Sequence, residues 1–86
     1  MPCYCYILEC ADGTFYTGWT TDLERRLKMH NAGQGAKYTR LRRPVKLVYI
    51  EPAESRSAAL KRELALKRLP RARKKLLVTN YLLQLS

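Results

Sequence analysis

Two tyrosines open this chain, Tyr6 in YCYIL and Tyr16 in FYTGW, ten residues apart. Arg26 and His30 follow, four residues apart, and Glu63 comes later. A phenol beside cations can serve as an acid or base, because nearby positive charge lowers its pKa from the usual value of about 10. A carboxylate held near such phenols can bind a metal. Each residue also has a plainer reading. Arg26 could be a solvated helix charge, and His30 a helix C-terminal histidine favoured by the dipole. Glu63 could form an i,i+4 ion pair with Lys67, worth only about 0.2–0.5 kcal/mol.

Whether the tyrosines can cooperate depends on the hairpin that carries them. CYCYILEC is rich in β-formers and apolar on both faces, as expected of a central strand. ADGT is a turn signal, and TFYTGW is the returning strand. A two-residue Asp-Gly turn would pair Ala11 with Thr14 and put the phenols on opposite faces. A three-residue loop with Gly13 left-handed would pair Cys10 with Thr14. Tyr16 would then oppose Leu8, Tyr6 would oppose Gly18, and both phenols would share a face as diagonal neighbours. A paired role requires the second register, and the sequence alone leaves both open.

TTDLERRLKMHNAG carries helix signals at both ends: Thr21 as N-cap with Glu24 in a capping box, and Gly33 as the stop. Leu23 and Leu27 mark its core stripe, with Arg26 and His30 at the edge and Arg25 and Lys28 off it. Residues 34–44 read as a basic loop ending at Pro44. VKLVYIE predicts a third strand, with Val45, Leu47 and Tyr49 alternating against Lys46, Val48 and Ile50. SRSAALKRELALKRL predicts an amphipathic helix closed by Pro70, with Leu60, Glu63, Leu64 and Lys67 on one stripe. RARKKLLVTNYLLQL predicts a last helix. The order β-β-α-β-α-α predicts a small α+β domain: a three-stranded antiparallel sheet flanked by helices, one domain over residues 1–86.

Seventeen Lys and Arg against seven Asp and Glu leave a formal charge of +10. The basic residues cluster at 25–28, 37–46 and 61–75, a pattern that favours a nucleic-acid partner over a merely soluble surface. A membrane partner fits poorly, because the leucines of the basic helices are spaced for a core. Cys3, Cys5 and Cys10 are not a disulfide framework, and one histidine is too few for a zinc site. They read as small buried residues in a reducing compartment. With no spanning run and no signal peptide, a cytoplasmic protein is expected.

The ordered set Tyr6…Tyr16-Thr17-Gly18…Arg26…His30…Glu63 resembles the GIY-YIG nuclease superfamily over residues 3–80, particularly its small free-standing bacterial branch. YCY (4–6) stands where GIY stands and YTG (16–18) where YIG stands. The resemblance implies a metal-dependent endonuclease that cuts phosphodiester bonds, as in homing, restriction, excision-repair and branched-DNA enzymes. It implies catalytic roles for Tyr6, Tyr16, Arg26 and His30, and a metal ligand in Glu63. Tyr4 and Cys5 replace the first motif's glycine and isoleucine, at backbone and packing positions. Trp19 stands where the repair nuclease has lysine, and Asn80 is the only candidate for a late asparagine used by several members.

In that chemistry Mg²⁺, or Mn²⁺ in its place, can sit on one carboxylate, with water and phosphate oxygens completing its shell. Arg26 would pair with a phosphate oxygen. One phenol, Tyr16 slightly favoured over Tyr6, would be the base, with Arg26, His30, Lys37 and the metal lowering its pKa. Lys37, Arg40, Arg42, Arg43 and Lys67 would hold backbone phosphates, and Tyr38 would either stack on a base or pack on the sheet. Nicking or structure-selective cutting of DNA is expected, with a protein partner able to supply targeting and no small-molecule cofactor. The charge fits RNA equally well. The rivals are a non-catalytic nucleic-acid-binding module on the same fold and a ribosome-associated or RNA-processing protein. A pure binder gains nothing from a Glu63 that repels phosphate.

Overall fold

A computed structural model describes residues 2–85. Its elements run β1 (Cys3–Glu9), β2 (Phe15–Thr20), α1 (Leu23–Asn31), α2 (Lys37–Arg40), β3 (Lys46–Ala53), α3 (Arg56–Lys67) and α4 (Arg71–Leu85). The strands form one antiparallel sheet in the order β2-β1-β3. β1 is central, as its two-sided apolar pattern requires: Cys5, Ile7 and Leu8 are fully buried.

The β1–β2 hairpin takes the three-residue loop. The Cys10 amide donates to the Thr14 carbonyl (2.8 Å), and Gly13 adopts a φ of +82°, which a side chain would resist. Asp12 Oδ1 braces the turn, accepting from the Thr14 amide (3.1 Å) and hydroxyl (2.6 Å). Tyr6 therefore opposes Gly18 and Leu8 opposes Tyr16. The two phenols share a face.

α1 packs on that face, where Leu23 and Leu27 meet Tyr6, Leu8, Cys10 and Val45. α3 and α4 cover the other face, through Ala59, Leu66, Leu77 and Val78 against Cys3, Cys5, Ile7 and Val48. Gly33 ends α1 as expected, at a φ of +81°. Its amide donates to His30 O and the Gln34 amide to Met29 O, the paired bonds of a Schellman stop. Asn31 then clamps α1 to the entry of β3: its Oδ1 accepts from the Val45 amide (2.8 Å) and its Nδ2 donates to the Val45 carbonyl (3.2 Å).

Four local expectations are corrected. The N-cap of α1 is Asp22, not Thr21; Asp22 Oδ1 accepts from the Arg25 amide at 3.1 Å, and a carboxylate also suits the positive end of the helix dipole. The 34–44 segment is not all loop, since α2 forms inside it. The alternation in β3 breaks, because a register shift opposite Ile7/Leu8 inserts one residue. Val48 and Tyr49 thus both pack with Ile7, while Leu47 stays with Leu8. On α3 the inward line is Ala59, Glu63 and Leu66, and Leu60 and Leu64 face solvent. Alanine at 59 lets the helix close on the sheet, and the Cys5 thiol donates to its carbonyl at 3.3 Å. Among the described residues no helix is long and apolar enough to cross a membrane.

Candidate active site

The phenol-bearing face, α1 and α2 together build a cluster around His30. The Tyr6 hydroxyl lies 3.0 Å from His30 Nε2. The Tyr16 ring is tilted against the imidazole, with centroids 5.3 Å apart. Both glycines beside these rings are obligatory. A β-carbon on Gly18 would lie 2.6 Å from the Tyr6 hydroxyl oxygen, and one on Gly35 would collide with His30 Nδ1. The glycine of YTG is there because the other motif tyrosine lies on it.

His30 is 1% exposed. Burial, then the charge of Arg26, holds its pKa below the ordinary value, so the imidazole is neutral at neutral pH. This corrects two expectations: His30 is not a dipole-favoured imidazolium, and it is not a cation that activates a phenol. Burial also raises the Tyr6 pKa well above the usual phenol range, and Tyr16 adds to the rise. Arg26 pulls it back, and Glu63 pushes it slightly further up. Arg26 and Glu63 are therefore both close enough to be felt at the Tyr6 hydroxyl, with opposite signs. Arg26 is half-buried and lines a groove with Thr20, Thr21, Asp22, Arg25 and Met29, and a second with Trp19 and Arg56.

The Glu63 side chain is 15% exposed and pairs with Lys67 at 3.5 Å, so the plain ion pair is present. Among the described residues no three His, Cys, Asp or Glu side chains converge, and Glu63 is the candidate carboxylate for a metal. That donor set fits a hard divalent ion whose remaining sites are filled by water and a substrate phosphate. It does not fit a closed structural metal site.

The basic residues divide. Lys37 and Arg40 are exposed on α2. Arg42 is committed to Asp12, with Nε 3.1 Å from Oδ2, and its guanidinium sits 4.0 Å over the Tyr38 ring. Arg43 donates to the Arg40 carbonyl (2.9 Å) and the Asn31 carbonyl (3.4 Å), tying the ends of α1 and α2. Tyr38 stacks on Tyr16 at 6.1 Å and remains 38% exposed. Asn80 stays outside the cluster: it lines a groove of α4 and β3 with Tyr49, Glu51 and Tyr81, on the other side of the sheet.

The sequence reading missed Thr39. It is fully buried on α2, its hydroxyl 2.8 Å from His30 Nδ1 and 3.0 Å from the Ala36 carbonyl. Its one legible signal was an uncharged residue inside a basic run. Asn31, which fixes the α1–β3 junction, was also missed, because it looked like an ordinary helix-end residue.

The GIY-YIG catalytic domain model matches residues 2–76. A UPF0213 protein of Syntrophus aciditrophicus is 58% identical over 83% of this chain and 83% of its own. One from Natronomonas pharaonis is 56% identical over 90% and 91%. Two solution NMR structures are similar. A UPF0213 protein from Bacillus halodurans shares 49% identity over 92% of this chain and 84% of its own, with a TM-score of 0.58. A protein from E. faecalis shares 47% identity over 96% and 88%, with a TM-score of 0.63. With both motif tyrosines on one face against a helix-borne histidine, and a family match spanning most of its length, the chain belongs to the GIY-YIG catalytic domain family, a nuclease superfamily.

Proposed function

We propose that this protein is a metal-dependent endonuclease that nicks nucleic acid by hydrolysing a phosphodiester bond, with DNA as the first substrate to test. The observation that carries the reading is the shared face of Tyr6 and Tyr16 against His30, with the charges of Arg26 and Glu63 both felt there. Glu63 would hold Mg²⁺ or Mn²⁺, which supplies charge neutralisation at the phosphate and leaving oxygen when bound. Arg26 is the candidate for a non-bridging phosphate oxygen, where charge grows in the transition state. Lys67 can leave Glu63 for a phosphate, since an i,i+4 pair holds it by only about 0.2–0.5 kcal/mol.

Tyr16 is the better candidate for the base. Tyr6 is buried and its hydroxyl is engaged by His30, which favours the neutral phenol. Tyr16 is half-buried, so a water beside it has access. Tyr6 then positions the water or phosphate. Lys37 and Arg40 are the freest candidates for phosphate contacts, with Arg42, Arg43 and Lys67 joining if substrate draws them from their protein partners. Tyr38 offers its exposed part to a base. Buried thiols at Cys5 and Cys10 suit a reducing compartment such as the cytoplasm. With phosphate contacts alone, targeting would come from substrate shape or a protein partner.

The test is a gel assay on supercoiled plasmid, single-stranded, nicked and forked DNA and matched RNA, each with Mg²⁺, Mn²⁺ or EDTA. Metal-dependent nicking that disappears in Glu63→Ala is expected. Binding without cleavage, equal in the variant, would instead favour the binding module.

A further inference from the structure

Tyr6, His30, Thr39 and the Ala36 carbonyl form one hydrogen-bonded line through the interior: 3.0 Å from phenol to Nε2, 2.8 Å from Nδ1 to the threonine oxygen, and 3.0 Å from that oxygen to the carbonyl. The hydrogens on such a line follow from the groups at its two ends. A carbonyl can only accept. A hydroxyl oxygen 3.0 Å from it must point its single hydrogen there, or two lone pairs would face each other. The Thr39 oxygen then has only lone pairs for His30, so Nδ1 carries a hydrogen.

The other end gives the same answer independently. The Tyr6 hydroxyl is buried, and His30 Nε2 is the acceptor within its reach among the described residues. A buried phenol that donates to nothing would forfeit about 1–3 kcal/mol. Nε2 is therefore the bare nitrogen. Both ends require one tautomer, and every hydrogen on the line points inward from Tyr6 to Ala36.

We propose that Thr39 is a positioning residue, whose hydroxyl fixes the His30 tautomer and thereby locks Tyr6 as a hydrogen-bond donor to His30. The Tyr6 oxygen consequently presents only lone pairs on the side away from His30. Donation to His30 strengthens that oxygen as an acceptor for the attacking water. If Thr39 loses its hydroxyl, Nδ1–H loses its acceptor and the tautomer with Nε2–H becomes favoured. Tyr6 must then accept from His30 and turn its own hydrogen into the site, the reverse of what a water-positioning acceptor needs. The catalytic consequence rests on the nuclease reading; the tautomer does not.

His30 is the only histidine in the sequence, so the imidazole nitrogen signals of a ¹⁵N-labelled sample belong to it alone. Long-range ¹H–¹⁵N spectra of the full chain should show Nδ1 protonated and Nε2 bare at neutral pH. Thr39→Val should shift the population to Nε2–H, and Thr39→Ser should keep the wild-type tautomer. In the plasmid assay Thr39→Val should lower kcat with KM unchanged. The expected loss is about 10- to 100-fold, the scale for removing a bond that orients a ligating histidine, and Thr39→Ser should rescue it.

A wild-type imidazole protonated on Nε2, or on both nitrogens, overturns the proposal whether or not Thr39→Val folds. So does a Thr39→Val spectrum with the tautomer unchanged. A switched tautomer with unchanged kcat and KM overturns the catalytic role. The expected tautomers in a protein that cleaves no substrate would support Thr39 as the orienting group and defeat the nuclease reading instead.

Discussion

The two faces of this small sheet each pack a tyrosine beside polar partners, and they solve the problem differently. On the α1 side Tyr6 meets a neutral imidazole. On the α3 side the Tyr49 hydroxyl donates to Glu51 Oε1 at 2.7 Å. Arg62 closes on the same carboxylate, with Nε 2.6 Å from Oε2 and a terminal nitrogen 3.1 Å from Oε1. There the phenol has given its proton direction to a fixed charge. Burial and that bond push the Tyr49 pKa up to about 12. Burial works against the Glu51 carboxylate, yet the bonds from Arg62 and Tyr49 prevail and hold it below its ordinary pKa. The result is a fastener between β3 and α3. The Tyr6 line carries no formal charge, so its proton arrangement can be reversed by one hydroxyl. A charged network fixes structure; a neutral chain of hydrogen bonds can be tuned for chemistry.

The largest expected contrast comes from removing one oxygen on each side. Tyr6→Phe should cut plasmid nicking by about 100-fold or more, the scale of losing a group that positions reactants. Tyr49→Phe should leave the nicking rate within about two-fold, and instead lower stability by about 1.5–3 kcal/mol in urea unfolding, the scale of a hydrogen bond to a charged group. Equal effects of the two variants on nicking would erase the distinction between the faces.

Arg62→Met sharpens the same contrast in stability alone. It strands the Glu51 carboxylate, but the pair is partly exposed, with side chains 43% and 25% accessible. The expected cost is about 1–2 kcal/mol, reduced from that of a fully buried pair by solvent screening, with nicking unchanged. Thermal melts with matched nicking rates would check both halves.

Acid should distinguish the faces by pH window. His30 has a folded pKa below its unfolded value of 6.5, so folding favours its neutral form. Its contribution is complete above pH 6.5 and is lost as pH falls through the folded value. Glu51 is lowered from 4.5, so its contribution persists until pH drops below that value. Melting temperatures between pH 7.5 and 5 should therefore decline in wild type and less in His30→Gln. Equal slopes would mean that His30 is not held neutral.

The smallest effects belong to the helix caps. Asp22→Ala on α1 and Ser55→Ala on α3 each remove a side-chain acceptor for a first-turn amide, at 3.1 Å in both helices. Each should cost about 1 kcal/mol in denaturant unfolding.

Much of this molecule is legible in its residues. The apolar run of β1, the turn at Asp12-Gly13, Gly33 as a helix stop and the leucines of α1 are local signals, and each had a local cause that the fold kept. The phenol pair was legible only conditionally, since either hairpin register satisfied the turn residues. Leu60 and Leu64 misled because leucine spacing on α3 cannot say which stripe a small residue such as Ala59 will draw inward. α2 was hidden by its charges: Lys37 and Arg40 describe an exposed surface, and Thr39 between them carries no periodic signature.

By itself the sequence determined every element type except α2, the central strand, the basic character and the two tyrosines, Arg26, His30 and Glu63 as candidates for chemistry, because each depends on neighbours within a few residues. The tertiary structure decided the hairpin register, the burial of Glu63 on α3 and the placing of Thr39 beneath His30. Those outcomes depend on groups that the chain brings together from separate elements. His30 and Thr39 are nine residues apart and lie on different helices, so the bond that sets the imidazole's proton exists only once α2 has packed on α1.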